Sequence, residues 1–132
     1  MIIIRGPEFL TEEQNLAENL KIEEMATLRK SDSGLPANLY LDDTGSWSKS
    51  GHWKRIKFQP DTGDRPITRS MIPMSIDDNP QVLVKDARIS LNTKQLEQIK
   101  MFVRVNKDLL LQLADAKISI LDFGRKMILP NK

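Results

Sequence analysis

A chain of 132 residues with 39% apolar side chains can bury one core but not two. The absence of cysteine removes disulfides, thiol catalysis and thiolate metal sites, and no uninterrupted apolar run approaches the length of a membrane span. Net charge is only +2 yet unevenly placed: residues 1–24 carry two basic and six acidic side chains, residues 44–70 six and two, and residues 92–132 eight and four.

An acidic arm therefore precedes a basic body. That layout predicts solvated faces, an arm laid against the basic surface, or a surface that meets polyanions. Met1-Ile2-Ile3-Ile4-Arg5 is too short for the apolar segment of a signal peptide, so the expected setting is the cytoplasm, with no membrane partner. The arm opens a helix at Thr11-Glu12-Glu13-Gln14, a capping box in which the Thr11 hydroxyl accepts from the Gln14 amide while the Gln14 side chain reaches back. Glutamates in the first turn suit the positive end of the helix dipole. Leu16 and Leu20 lie one turn apart, but Glu23 and Glu24 take the next positions, so this helix buries little. Gly6-Pro7-Glu8-Phe9 reads like the remnant of a cleavage and cloning site, and Met25-Ala26 like the start of a shorter protein. The expected organisation is an N-terminal helical arm or leader over 1–24 and a single domain over 25–132.

Ser31 to Pro36 is loop chemistry. Two alternating runs follow, Asn38-Leu39-Tyr40-Leu41 and Trp53 to Phe58, flanking a polar loop from Asp42 to His52. Leu39 and Leu41 share one face of the first run and Ile56 and Phe58 one face of the second, which assigns Arg55 and Lys57 to the opposite, solvated face. The aspartate and glycine spacing of Gln59 to Asp64 predicts a reversal into a third strand near 67–76. There Ile72, Met74 and Ile76 alternate, and Pro73 demands an edge or a bulge. Asp77-Asp78-Asn79-Pro80 turns the chain into a fourth strand, Gln81 to Val84.

Asn92, with Gln95 three residues on, caps the strongest periodic segment. Apolar residues at Leu96, Ile99, Val103, Leu110 and Leu113 predict one helix over 94–113, widened by Phe102, Leu109 and Ala114 enough to cover one side of the sheet. Met101, Val105 and Leu111 fall toward another side. The tail, Ile118 to Pro130, is too apolar for water; it predicts a strand or a short helix and is the best place for a homodimer contact. The expected fold class is α+β: an antiparallel meander of about four strands packed against a long C-terminal helix.

Chemistry concentrates in residues 39–58, which hold the only histidine and both tryptophans. His52 with Asp42 and Asp43 has the donor types of a carboxylate and imidazole metal site, but adjacent aspartates at a turn read as turn chemistry, so no metal or cofactor is assigned. Ser46, Ser48 or Ser50 with His52 would need support from elsewhere to act as nucleophile and base. Glycine-rich phosphate loops, paired-histidine helices and dinucleotide fingerprints are absent. The interleaved aromatic and cationic groups Trp47, Lys49, His52, Trp53, Lys54, Arg55 and Lys57, with Arg65 and Arg69 across the next reversal, are what a surface needs to neutralise phosphates and stack bases. The apolar tail and the second apolar side of the helix equally suit a protein-interaction module.

Gly51 to Phe58, followed by strands and a closing helix with Val103-Arg104-Val105-Asn106-Lys107-Asp108-Leu109-Leu110, resembles a family of small uncharacterised bacterial proteins over residues 33–114. Members of that family are often encoded in compact, toxin–antitoxin-like gene pairs, and their usual pair of histidines is reduced here to His52. The resemblance implies a bacterial, cytoplasmic setting and no established activity. The functional expectation is a non-enzymatic binding protein contacting nucleic acid through the basic and aromatic hairpin. The alternatives are a module acting through a partner chain and a hydrolase or nuclease using His52.

Overall fold

The computed structural model describes residues 9–21, 26–42 and 54–129. Its elements in chain order are α1 (Glu12–Lys21), β1 (Ala26–Leu28), α2 (Lys30–Ser33), β2 (Leu39–Leu41), β3 (Arg55–Phe58), a 3-10 turn at Thr68–Ser70, β4 (Ile72–Ser75), α3 (Thr93–Val105), α4 (Lys107–Ala114) and α5 (Ile120–Lys126). The strands form one antiparallel sheet in the order β1-β2-β3-β4, the α+β meander expected from the sequence. Tyr40 stands opposite both Thr27 and Lys57, and Ile56 opposite Met74.

Strand identity is shifted by one. β1 comes from Ala26-Thr27-Leu28, a run too short to show alternation. The expected fourth strand is reduced to two isolated bridges, Val82 with Met74 and Val84 with Leu10, because Asp86 at φ 57° turns the chain away directly afterwards. The proline in β4 obeys the edge expectation. The Pro73 carbonyl accepts from the Leu83 amide at 2.9 Å and the Ser75 amide donates to the Gln81 carbonyl at 3.0 Å, so both point away from β3. The missing Pro73 N–H therefore falls on the outer side, where it breaks no bond to β3.

Because side chains alternate along a strand, Leu39, Leu41, Ile56, Phe58, Ile72 and Met74 share one face of the sheet. That face meets Ile99, Phe102 and Val103 of α3, Leu110 and Leu113 of α4 and Phe123 of α5 in a single core. The capping box at the start of α3 is complete: Asn92 Oδ1 accepts from the Gln95 amide at 2.8 Å, and Gln95 Oε1 from the Asn92 amide at 2.9 Å. The expected single helix is instead two, broken at Asn106. The buried Asn106 side chain donates to the Phe102 carbonyl at 2.9 Å and the Ile128 carbonyl at 2.8 Å, and accepts from the Ile128 amide at 2.7 Å. The apolar stripe continues across this junction, so periodicity alone gives no sign of it. The tail forms the short-helix alternative, with Ser119 Oγ capping the Asp122 amide at 3.1 Å and Phe123 buried. Among the described residues, no helix is long and apolar enough to cross a membrane.

Candidate functional site

The second face of the sheet carries Tyr40, Arg55, Lys57 and Ser75, with Asn38 and Gln59 continuing the same alternation at the ends of β2 and β3. The expectation that this face is solvated is wrong. Arg55 is 4% and Lys57 2% exposed, and Asn38, Tyr40, Gln59 and Ser75 are buried with them. Strand alternation correctly separates the two faces but carries no information on whether a distant segment covers the polar one.

The covering element over Lys57 is α1. Its capping box forms as the sequence predicts, with Thr11 Oγ1 accepting from the Gln14 amide at 3.1 Å and Gln14 Oε1 from the Thr11 amide at 3.0 Å. Leu16, however, faces water at 46% exposure. Among the described side chains of α1, the buried ones are Asn15 and Asn19, one turn apart. Lys57 Nζ donates to Asn15 Oδ1 at 3.1 Å and to Asn19 Oδ1 at 2.5 Å. Both asparagines return their amide nitrogens to the Met71 carbonyl, at 2.7 and 2.9 Å, and Asn19 also reaches the Arg69 carbonyl at 3.2 Å. A buried ammonium is costly unless its donors are satisfied, and the i, i+4 amide pair supplies two acceptors. The acidic arm thus lies on the basic face, as one sequence reading expected, through asparagine amides.

A second polar cluster fixes the connection from β3 to β4. Gln59 Oε1 accepts from the Tyr40 hydroxyl at 3.0 Å, the Ile67 amide at 3.1 Å and Asn38 Nδ2 at 3.3 Å, while Gln59 Nε2 donates to Asp61 Oδ1 at 2.9 Å and the Gly63 carbonyl at 3.3 Å. Asn38 Nδ2 also reaches the Asp64 carbonyl at 3.1 Å, and its Oδ1 accepts from the Lys30 amide at 2.8 Å. Burial raises the Tyr40 phenol above its ordinary pKa; the Ile67 amide opposes this and the Asp61 charge adds to it. Asp61 is held below the usual carboxylate value, chiefly by Gln59 and then by the Gly63 amide.

The sequence-predicted site residues therefore part company. Lys54 pairs with Asp115 at 2.6 Å, tying the start of β3 to the end of α4. Arg55 and Lys57 lie in the covered face, whereas Arg65 and Arg69 are exposed on the connection before β4. Trp47, Lys49, His52 and Trp53 lie outside the described residues, as do Asp43 and the serines at 46, 48 and 50; among the described residues no group of three potential metal ligands occurs. Sequence reasoning missed Asn15, Asn19, Asn38, Tyr40 and Gln59. For the first two, the asparagine pair at helical spacing in the arm is the one available signal.

A different surface is apolar. Met101 and Val105, one turn apart on α3, are 48% and 46% exposed, and Ile128 is 57% exposed. The two Asn106 bonds to the Ile128 backbone set that residue beside the end of α3. Compared with known protein families, curated proteins and solved structures, the chain matches none of them.

Proposed function

We propose that this is a non-enzymatic binding protein that acts through a partner chain, in the first instance a second copy of itself. One observation carries the reading: a fully buried asparagine holds the backbone of Ile128 from both sides while the Ile128 side chain stands in water. Fixing the position of an exposed apolar residue removes ordering entropy from any association that buries it. Met101 and Val105 present apolar side chains from the neighbouring helix, and a surface built from one chain's own apolar residues is suited to a self-complementary, two-fold contact.

Light scattering after gel filtration tests this. The expected result is a dimer insensitive to salt that Val105→Lys with Ile128→Lys converts to a monomer of unchanged circular dichroism. A monomer at about 100 μM, where any dimer of micromolar Kd is populated, would refute self-association.

A further inference from the structure

We infer that a second copy of this chain docks along α5, with Gly124 as the point of closest approach between two antiparallel helices. This rests on the self-association proposed above and names the element that carries it. Leu121, Gly124 and Arg125 lie on one side of α5 by helical period, while Phe123 holds the other side in the core. Ile128 follows just past the end of the helix. Leu121, 62% exposed, and Ile128 are the two most exposed large apolar residues among those described, and they bracket the glycine in sequence.

Among the described residues nothing requires a glycine there: its φ is not positive, and a Cβ built on it meets no atom within 4 Å beyond its own helix backbone and chain neighbours. A glycine inside a helix weakens it relative to alanine through backbone entropy, so the fold alone would gain from the missing methyl group. The absence of that methyl matters to a helix approaching from outside, because side chains at the crossing set how closely two helices pack. The flanking charges select a second copy. Asp122 and Arg125 are both largely open to water and make only a long contact with each other, at 3.7 Å. An antiparallel copy of α5 sets Asp122 against the second copy's Arg125, and Arg125 against its Asp122, as two equivalent ion pairs about a two-fold axis. The same axis brings Leu121 toward the second copy's Ile128. One seven-residue helix is a small interface by itself, and Ile128 continues it to the exposed Val105 and Met101.

Sedimentation equilibrium of the full chain over about 1–200 μM measures the dimer constant. Gly124→Ala should keep its circular dichroism and melt a few degrees higher at a dilution where the chain is monomeric, yet dimerise about ten-fold more weakly. Gly124→Gln, also a good helix former, should dimerise at least about a hundred-fold more weakly. Arg125→Asp sets aspartates against each other and should weaken the dimer about five-fold; adding Asp122→Arg should restore it, since the pairs are then reversed but complementary. A monomeric unaltered protein would overturn this inference and self-association together. A dimer indifferent to both Gly124 substitutions, or a charge reversal that the second change does not rescue, would overturn the α5 crossing alone and leave self-association standing.

Discussion

Gln59 is the point at which the polar layer is most exposed to test. Its Oε1 serves three donors, so removing one should differ from removing the acceptor. Tyr40→Phe deletes the hydroxyl that donates at 3.0 Å but leaves the Asn38 and Ile67 donors in place, and should cost about 1 kcal/mol. Gln59→Leu preserves most of the volume yet strands both the Tyr40 hydroxyl and the Ile67 amide. At about 1–3 kcal/mol for each stranded buried group, less about 1 kcal/mol gained from the apolar leucine, the expected loss is about 1–5 kcal/mol, centred near 3. In the double variant the phenol is gone, so only the Ile67 amide is stranded and the two losses overlap by about 2–4 kcal/mol. Urea unfolding of the four proteins, followed by circular dichroism at a common slope, measures that coupling. Losses that add to within about 0.5 kcal/mol would refute the shared acceptor.

Asn106→Ala removes three side-chain hydrogen bonds and should lower stability by about 2–3 kcal/mol, with hydrogen exchange of the Ile128 amide rising more than that of α3. Ala116 ends α4 at φ 57°, a left-handed conformation that opposes a Cβ, so Ala116→Gly should stabilise by about 0.5–1 kcal/mol in the same unfolding assay. The depressed Asp61 pKa contributes stability that is present above the unfolded-state value and lost as pH falls through the lower folded-state value. Gln59→Leu removes the largest cause of that depression, so stability measured on acidification below pH 3.8 should fall less steeply in the variant. Tyr40 has the opposite sign: its raised pKa makes stability decline as pH rises through the phenol range, and Tyr40→Phe should remove that part of the alkaline loss.

Features set by neighbours in sequence could be read from the chain directly. Both capping boxes, Thr11 with Gln14 and Asn92 with Gln95, need only a three-residue spacing, and both form. The core face of β3 follows from Ile56 and Phe58 by alternation, and the core stripe of α3 and α4 from Ile99, Val103, Leu110 and Leu113 by helical period. What could not be read depends on contacts between distant segments. Arg55 and Lys57 have the pattern of a wet strand face whether or not anything covers them, and over Lys57 the cover comes from Asn15 and Asn19, some forty residues earlier. Leu16, one of the leucines by which the face of α1 would be judged, is exposed instead. The break at Asn106 is invisible for a related reason, since its cause is the backbone of Ile128.

The bridge between Leu10 and Val84 also orders events during synthesis. Leu10 cannot form its bridge until residues 83–85 have been made, and Asn15 cannot complete its bonds before Met71 has emerged. Closing such long loops is slow relative to the hairpins of the sheet, so α1 finds its place after the strands it joins have paired.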